Sequence, residues 1–432
     1  MLHPRTLTDR RDEVVRSCSR RHMDVDVDRA IALYDQVTAV QQQLDELRRQ
    51  RNEHQAAGKR KLPPEERQAH VAEGRRLKEE VAAKEQALAA ARAEFDAVLA
   101  TIPNFLHPDV PEGGEDEGRE LKRVGEPTRF DFDADDHLGV AAKLDGIDFE
   151  AGAKVAGQKF YFLKNDLVLL ELALQRFALD VLLAEGFTPF VTPDLARADI
   201  VAGLGFNPRG EETQIYSVAD TDLCLVGTAE ITLGGMHVDT ILDEASLPLR
   251  YAGISHCFRT EAGAHGRESK GLYRVHQFTK VEMFAFTKPE DSDRMHDELL
   301  RIEESIFQQL ELPYRVLDVA AGDLGAPAYR KFDIEAWMPG RGDGGEWGEV
   351  TSTSNCTDYQ ARRLKVRFRR QETKKNEFVH MLNGTAVANS RAIVALLENH
   401  QQADGTVRVP QALRPYVGRD LLRAPEPARE DR

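Results

Sequence analysis

Apolar residues recur every three or four positions in two long stretches near the N-terminus. The first stretch contains Leu33, Val37, Val40, Leu44 and Leu47. The second contains Leu77, Val81, Lys84, Leu88, Ala91, Phe95, Val98 and Ile102, with Lys84 as its one polar member. This spacing is typical of a helix that packs against another helix. Because Pro63 and Pro64 separate the stretches, the pattern predicts an antiparallel hairpin of two helices. A plain dimerising coiled coil would produce the same spacing.

The pattern changes after residues 103–118, a segment rich in proline, glycine and glutamate. The stretch from Asn165 to Glu185 is almost continuously apolar and stops before Gly186, which predicts a buried helix. The next segment, FTPFVTPDL, predicts a strand edged by prolines. Later segments alternate with period two, and one more long helix is evident before Ser390. The sequence therefore predicts an α+β fold with a large antiparallel sheet, rather than a doubly wound one.

Charge adds a local feature to an acidic chain. The net charge of −15 over 432 residues argues against indiscriminate coating of nucleic acid, DNA included, because such binding needs many cations. The region around the predicted hairpin tip is nevertheless basic and contains only Glu53, Glu65, Glu66 and Glu73 as acids. Its cations are Arg48, Arg49, Arg51, Lys59, Arg60, Lys61, Arg67, Arg75, Arg76 and Lys78. Such a patch attracts a phosphate backbone without reading sequence, although a merely solvated helical surface fits equally well.

The cysteines and the hydropathy limit the cellular setting. Cys18, Cys224, Cys257 and Cys356 lie far apart, so the sequence indicates neither a zinc site nor a disulfide framework. No apolar run approaches the roughly 18 to 20 residues that cross a bilayer, and the first residues lack a signal-peptide core. We therefore expect a cytoplasmic protein without a membrane partner.

The most informative stretch is YRVHQFTKVEMFAF, from Tyr273 to Phe286. Read as a strand, it places charges and aromatic rings on one face, and the other face carries Val275, Gln277, Thr279, Val281 and Met283. The mixed face consists of Arg274, His276, Phe278, Lys280, Glu282 and Phe284. Upstream, Cys257, Arg259 and Glu261 also alternate, and a glycine-punctuated loop joins the two segments. The pattern predicts a hairpin with a polar working surface, although salt-bridged strands on an exposed sheet would look similar.

These residues carry a family resemblance. FRTEAG and GLYRVHQFTKVEMF resemble motif 2 of the seryl-tRNA synthetases, which are class II aminoacyl-tRNA synthetases, and GFTPFVTPDL resembles motif 1 with Pro193 at its proline. LVGTAE, GEVTSTSNCTDYQARRLKVRFR and the motif 3-like HMLNGTAVANSRAIVALLENHQQADGTVRVPQALRPYVG extend the match, and TIPNFLHPDVPEG resembles the join between the family's arm and its catalytic domain. The resemblance covers nearly the whole chain.

The resemblance implies two domains and a reaction. Residues 1–105 would form a tRNA-binding arm, an antiparallel two-helix coiled coil, and residues 106–432 an antiparallel-sheet class II catalytic domain with motifs 1, 2 and 3. The implied enzyme is a homodimer that activates L-serine with ATP and Mg²⁺ and transfers it to tRNA(Ser), and to tRNA(Sec) where that tRNA exists. The implied tRNA-binding residues are Arg48, Arg49, Arg51, Lys59, Arg60, Lys61, Arg75, Arg76 and Lys78.

The resemblance also assigns roles at the ATP site. Arg259 would bridge the α-phosphate and the serine carboxylate, Arg274 would reach the terminal phosphates, and Arg391 would complete the phosphate cradle. Phe278 would lie under adenine with Arg391 above it, and Glu261 would accept a hydrogen bond from the adenine amino group. Arg259, Arg391 and Glu349 are the implied catalytic residues. The full ATP-binding set is Arg259, Thr260, Glu261, Arg274, Val275, Phe278, Glu349, Val350, Thr351, Ser352 and Arg391.

Magnesium and serine complete the implied site. Glu349 and Ser352 match the positions that hold Mg²⁺, which prefers hard oxygen ligands. Glu230 and the backbone around Thr228 would hold the serine amino group, and Glu282 and Thr385 would read its hydroxyl. The implied serine-binding set is Thr228, Ala229, Glu230, Arg259, Glu282, Asn383 and Thr385.

Two departures from the family pattern bear on backbone conformation. Gly227 stands where the family often has proline, and GTAVANSR replaces a more glycine-rich stretch before Arg391. Two other functions remain compatible with the sequence. One is a synthetase-like paralogue that charges a non-tRNA acceptor in a biosynthetic pathway, and the other is an inactive RNA-binding scaffold.

Overall fold

The computed structural model describes residues 1–58, 63–206, 214–262 and 270–426. The chain divides into two compact units, Met1–Phe105 and Leu106–Arg432. In the described ranges, none of the helices combines the length and the apolar character that a membrane crossing requires.

The first unit is helical. Its described helices are α1 Pro4–Asp9, α2 Arg11–Arg20, α3 Val27–Ala57 and α4 Pro64–Thr101. The Asp26 side chain caps α3 by accepting a hydrogen bond from the Arg29 backbone N–H at 2.8 Å. Pro64 is the first residue of α4, a position where its missing N–H costs no helical hydrogen bond.

Helices α3 and α4 form the predicted antiparallel hairpin. Leu44, Val81 and Leu88 are buried together between them, with Val37, Val40 and Leu47 packed alongside. Toward the base of the hairpin, the Tyr34 and Phe95 rings lie 5.6 Å apart. Lys84, the polar member of the second stretch, donates a hydrogen bond from Nζ to Gln43 Oε1 at 2.9 Å, across the pair. The prediction from the apolar spacing is confirmed.

The second unit mixes helices with strands. Its described α-helices are α5 His137–Lys143, α6 Phe149–Ala156, α7 Asp166–Ala184, α8 Ala198–Gly203, α9 Ala229–Gly235, α10 Ser292–Gln309, α11 Tyr359–Leu364, α12 Asn389–His400 and α13 Arg414–Val417. Short 3₁₀ turns occupy Glu115–Glu117, Glu244–Ser246, Gly271–Tyr273, Pro289–Asp291, Ala321–Asp323 and Gln411–Leu413.

The strands are β1 Arg119–Val124, β2 Ile147–Asp148, β3 Phe162–Leu163, β4 Thr188–Val191, β5 Leu195–Arg197, β6 Leu223–Leu225, β7 Ile241–Asp243, β8 Leu249–Phe258, β9 Gln277–Thr287, β10 Tyr314–Asp318, β11 Arg330–Met338, β12 Glu346–Asn355, β13 Arg367–Arg369, β14 Asn376–Phe378, β15 His380–Ala388, β16 Val407–Arg408 and β17 Leu421–Leu422. Eight of these strands, all in the described part of the chain, form one sheet in the order β1-β10-β11-β12-β15-β9-β8-β4. Neighbours in this sheet are antiparallel except for the edge pair β4 and β8. The predicted α+β class with a large antiparallel sheet is confirmed.

Helices pack on this sheet and bury its apolar side chains. The long apolar helix predicted from the sequence is α7, and its side chains share one core cluster with residues of β9, α10 and α12. Gly186 follows α7 at φ +80°, a conformation that glycine adopts without steric cost. Helix α10 packs against β15 and β12. The core thus supports the central strands that carry the polar residues.

The predicted first residue of β9 is wrong. The strand begins at Gln277 rather than at Tyr273, because Gly271–Tyr273 is a 3₁₀ turn. Gly271 has φ +58°, and a Cβ there would lie 2.1 Å from His137 Nε2. The chain therefore turns tightly against His137 before it enters the sheet, and strict alternation does not apply to the residues up to Gln277.

Candidate active site

Strands β9, β15, β12 and β11 form the floor of a cleft with two cavities. We call the first the arginine cavity, of about 420 Å³. It is lined by Phe206, Gln214, Ile215, Gly227, Arg259, Glu261, Tyr273, Arg274, Val275, Phe278, Lys280, Lys331, Glu349, Val350, Thr351, Ser352, Thr385, Ala388, Ser390 and Arg391. Three arginines and two carboxylates thus face one space.

The second cavity is smaller, about 360 Å³, and we call it the acidic cavity. Its polar lining includes Thr228, Glu230, Glu282, Asp323 and Asn383. Six residues line both cavities: Phe206, Arg259, Lys280, Lys331, Ser352 and Thr385. The two spaces therefore meet at a junction that carries three cations.

A β-bulge brings Glu349 and Ser352 to the same cavity. In a regular strand, residues three apart point to opposite faces. Here Ile334 of β11 pairs with Thr351, but the next residue, Glu335, pairs with Glu349, so Val350 is an extra residue in β12. The extra residue breaks the alternation, which allows both polar side chains to face the arginine cavity.

Arg391 is held at the start of α12 by three contacts. Its Nη1 lies 3.2 Å from Glu349 Oε2 and donates a hydrogen bond to the Glu349 backbone oxygen at 3.1 Å. Its guanidinium lies over the Tyr273 ring, 4.8 Å from the centroid. The Tyr273 hydroxyl donates to the same Glu349 oxygen at 3.1 Å. Burial raises the pKa of Glu349, but Arg391 and Lys331 outweigh it and lower the pKa to about 2. The carboxylate is therefore ionised.

The other two arginines lie across the cavity near the end of β8 and the start of β9. The Arg259 guanidinium lies over the Phe278 ring at 5.5 Å, and its Nε points to the Gly227 oxygen at 3.5 Å. Arg274 Nη1 pairs with Glu261 Oε2 at 3.0 Å. Glu261, three residues beyond the end of β8, has φ +53°, so the chain bends sharply there. Cation-π contact holds Arg259 against an aromatic face and leaves its donors for an anion.

Glu230 lies at the buried end of the acidic cavity. The Thr228 side chain caps α9 by accepting a hydrogen bond from the Glu230 backbone N–H at 3.2 Å. Glu230 Oε1 accepts a hydrogen bond from Gln360 Nε2 at 2.7 Å. Burial, helped by the charge of Glu282, raises the pKa of Glu230 to about 7. A cationic ligand would pair with this carboxylate and favour its ionised form.

Glu282 and Thr385 face each other across β9 and β15. The Thr385 hydroxyl donates to Glu282 Oε2 at 3.2 Å and accepts a hydrogen bond from Lys280 Nζ at 3.3 Å. Lys280 Nζ also lies 2.5 Å from Glu282 Oε2. Glu282 is 1% exposed, so this network sits in a dry environment where polar contacts are strong and directional. Asn383 lies nearby on β15 with its Nδ2 3.9 Å from Cys356 Sγ.

The structure gathers most of the expected site residues into this cleft. Ala229 is fully buried at the start of α9 and, like Thr260, is not among the residues that line either cavity. Val275, assigned to the opposite face of a strand, lines the arginine cavity because the chain is not yet in the sheet there. Gly227 has no positive φ, and a Cβ would be 3.5 Å from the Phe258 oxygen, an ordinary contact. This departure from the family pattern therefore leaves the backbone unstrained.

Several residues at the cleft were not among the expected site residues, and four of them have charged or polar roles there: Tyr273, Lys280, Lys331 and Gln360. Lys280 had a signal, since it alternates between Phe278 and Glu282. Lys331 and Gln360 come from β11 and α11, and no local pattern connects them with β9. Only tertiary folding brings them to the cleft.

Four arginines of the hairpin tip have exposed side chains and are paired with carboxylates, some of which lie outside the acids counted from the sequence. Arg48 pairs with Glu85 at 2.9 Å, Arg49 with Glu53 at 2.6 Å, Arg75 with Glu79 at 3.0 Å and Arg76 with Glu73 at 2.6 Å. Among the described carboxylates, none pairs with Arg51, Arg67 or Lys78. Lys59, Arg60 and Lys61 lie outside the described residues.

Comparison with known proteins gives two family matches. Residues 215–400 match the family described as tRNA synthetase class II core domain (G, H, P, S and T), and residues 1–106 match the seryl-tRNA synthetase N-terminal domain. The sheet and its cleft thus define the catalytic core of a class II aminoacyl-tRNA synthetase.

Individual relatives narrow the class. A serine–tRNA ligase from Treponema denticola is 54% identical over 98% of this chain and 100% of its own length, and one from Dictyoglomus turgidum is 56% identical over 92% and 93%. A crystal structure of seryl-tRNA synthetase from Pyrococcus horikoshii complexed with ATP matches with a TM-score of 0.89, 38% identity, and coverage of 99% and 100%. One from Naegleria fowleri in complex with AMP matches with a TM-score of 0.82, 34% identity and 96% coverage of each chain. The chain belongs to the seryl-tRNA synthetase family.

Proposed function

We propose that the protein activates L-serine with ATP and transfers the seryl group to tRNA(Ser), and to tRNA(Sec) where that tRNA exists. The observation that carries this proposal is the junction of the two cavities at Arg259. One cavity has the arginines and aromatic ring that suit a nucleotide, and the other has the buried acids that suit an ammonium and a hydroxyl. The identity of more than half to serine–tRNA ligases over nearly the whole chain supports the same activity.

The first step joins the two substrates. A serine carboxylate oxygen attacks the α-phosphorus of ATP, the bond from that phosphorus to the oxygen that bridges to the β-phosphate breaks, and pyrophosphate leaves with the electron pair. Arg259 faces both cavities, so its planar fork can hold the carboxylate and the α-phosphate together. Arg391 and Arg274 neutralise phosphate charge as it develops, for which Arg274 exchanges its pairing with Glu261.

Nucleotide recognition uses the aromatic face of the arginine cavity. Adenine stacks on Phe278, and Glu261, once released from Arg274, accepts a hydrogen bond from the adenine amino group. The Arg259 guanidinium lies over the Phe278 ring, so it moves toward the phosphates when adenine stacks there. Arg391, which the family resemblance would place above adenine, lies over the Tyr273 ring and completes the cavity wall.

The residues at Glu349 and Ser352 fit a magnesium ion. They provide an ionised carboxylate and a hydroxyl on one cavity wall, and Mg²⁺ is commonly held by one or two protein oxygens, phosphates and water. Among the described residues no group of three or more histidine, cysteine, aspartate or glutamate side chains could hold a metal by itself. This sparse oxygen set suits an ion that enters with the phosphates. The ion would neutralise phosphate charge, and Glu349 is oriented for it by Arg391.

Serine recognition uses the acidic cavity. Glu230 pairs with the ammonium, and Glu282 and Thr385 bind the hydroxyl with Asn383 nearby. Because Glu282 and Thr385 are buried, a serine hydroxyl gains hydrogen bonds there in a dry environment, and an amino acid without a hydroxyl loses them, which disfavours alanine.

The helical hairpin provides the tRNA contact in this proposal. Its basic residues lie on exposed helices, which suits contact with a phosphate backbone by shape and charge rather than by base sequence. The match of residues 1–106 to the seryl-tRNA synthetase N-terminal domain supports an arm at residues 1–105 and a tRNA acceptor rather than a carrier protein. A reaction that supplies protein synthesis also supports a cytoplasmic location.

We further propose a homodimer that forms through α7 and β4. Leu172 is 57% exposed on α7 and Val191 is 85% exposed on β4, and both are large apolar side chains. Replacing Leu172 with glutamate would place a charge in this surface and shift sedimentation from dimer to monomer, with Leu121→Glu on β1 as the matched control. A wild-type protein that sediments only as a monomer would contradict the proposal.

The direct test of function is amino-acid-dependent ATP-pyrophosphate exchange across all twenty amino acids, followed by charging of tRNA(Ser). We expect exchange with serine far above the other amino acids, and aminoacylation of tRNA(Ser). Serine exchange without tRNA charging would favour a non-tRNA acceptor. Absence of exchange in the folded protein would favour an RNA-binding scaffold.

A further inference from the structure

Two lysines enter the cleft, each with an acid two residues further along its own strand. Lys280 pairs with Glu282 on β9, and Lys331 Nζ lies 3.0 Å from Asp333 Oδ1 on β11. Residues two apart in a strand share a face, so each pair points to the same side of the sheet. The Lys331 side chain is 20% exposed, which leaves its ammonium accessible from the cavities and little from bulk solvent.

The two lysines differ in how many partners they have. Lys280 Nζ contacts both Glu282 and the Thr385 hydroxyl. Among the described residues, Lys331 Nζ has one hydrogen-bond partner, Asp333 Oδ2 at 3.0 Å. Since an ammonium has three N–H donors, Lys331 keeps donors for a ligand.

Position decides which ligand group these donors meet. Lys331 lines both the arginine cavity and the acidic cavity, as do Arg259 and Ser352. The α-phosphate and the serine carboxylate meet at this junction, in line with the proposed function on which this inference rests. An ammonium is a compact charge that contacts single oxygens, whereas Arg259 contacts two at once.

We propose that Lys331 is a further catalytic residue, whose ammonium contacts an α-phosphate oxygen and stabilises the negative charge that builds as the serine carboxylate displaces pyrophosphate. Lys331 stays protonated throughout, and no proton moves in this step. Asp333 is a positioning residue that directs the ammonium toward the junction. The cradle of arginines thus has a fourth cation, from a strand that carries none of the motif residues.

Replacement of Lys331 with methionine is the primary test, since methionine keeps the length of the side chain and removes its charge. We expect kcat for serine-dependent exchange to fall about 10²-fold, the scale seen when one preorganised donor to a developing oxyanion is lost, with a smaller rise in KM for ATP and little change in KM for serine. Lys331→Arg keeps a charge and should recover at least about tenfold of the loss.

A double variant separates catalysis from simple neutralisation of Asp333. If Lys331 serves only to balance that buried carboxylate, then Lys331→Met combined with Asp333→Asn removes both charges and should restore exchange to nearly the wild-type rate. If Lys331 acts on the phosphate, the double variant stays about as slow as Lys331→Met. Restoration in the double variant would overturn the proposal, and so would a folded Lys331→Met variant with wild-type kcat.

Binding measurements provide an independent readout. AMP and adenosine differ by the phosphate, so calorimetry should show weaker AMP binding to Lys331→Met and unchanged adenosine binding. Lys122→Met is the matched control, because Lys122 lies on β1 of the same sheet and lines neither cavity, and its Nζ is 2.7 Å from the carboxylate of Glu304 on α10. Equal losses for AMP and adenosine would also overturn the proposal. Lack of serine exchange in the wild-type protein would instead contradict the proposed function.

Discussion

Arginine-carboxylate pairs occur both in the helical hairpin and in the cleft, but their surroundings differ. Arg76 lies 2.6 Å from Glu73 and from Glu80 on its own helix, with all three side chains more than 40% exposed. Arg391 lies 3.2 Å from Glu349, but its side chain is 21% exposed and the pair sits in a cavity wall. Water and salt screen the first pair, whereas the second operates at low dielectric. The same two residue types therefore give an adaptable charged surface in one unit and a fixed electrostatic site in the other.

The largest effect is expected from removing Glu282, a buried acid of the cleft whose contacts are not screened by solvent. Replacement with alanine takes away the acceptor of the Thr385 hydroxyl and leaves Lys280 buried without its acid, so serine-dependent exchange should fall about 10³-fold. Glu282→Gln, which keeps the shape, distinguishes charge from packing. Unchanged exchange in the alanine variant would show that the acidic cavity does not bind serine.

Glu230, the second buried acid of the cleft, should make serine binding depend on pH. Burial raises its pKa to about 7, and in the proposed site only the ionised form pairs with the serine ammonium. Serine binding should therefore strengthen as pH rises from about 6 to about 8, and KM should level off above the pKa. Glu230→Gln should raise KM about 10²-fold and abolish this dependence. A pH profile of KM that is the same in both proteins would contradict the assignment.

The hairpin should respond more mildly. Changing Arg48, Arg49, Arg75 and Arg76 together to glutamine should raise KM for tRNA about tenfold and reduce its salt dependence, because the four proposed contacts to the tRNA backbone are lost. ATP-pyrophosphate exchange should stay unchanged.

A matched control for the hairpin variant removes the same charge elsewhere. The control variant replaces four ion-paired arginines of the second unit with glutamine: Arg294, Arg301, Arg367 and Arg408. An equal effect on tRNA charging in both variants would mean that net charge, and not the hairpin, guides the tRNA.

The predictability of the two units follows from how local their contacts are. The helical hairpin could be predicted from the sequence because its buried apolar residues repeat every three or four positions and each helix is continuous. Even so, the pairing of Arg48 with Glu85 joins residues far apart in sequence. Counting nearby acids therefore underestimated how far the basic patch is neutralised.

Only some of the residues that form the cleft could be predicted from the sequence. The alternation of Phe278, Lys280 and Glu282 identified one wall, and the family resemblance supplied the opposite one. Lys331 could not be found, because β11 reaches the site only through its pairing with β12. The start of β9 was misplaced because the turn at Gly271 depends on His137, a residue distant in sequence.

The extra residue at Val350 has a consequence for how this enzyme can vary. A substitution at Val350 alters one side chain, whereas loss of the residue would restore regular alternation and rotate Glu349 away from Ser352. The number of residues in β12 is thus under stronger constraint than the identity of the residue at position 350. Divergence at this wall is expected to proceed by replacement and to avoid insertions and deletions.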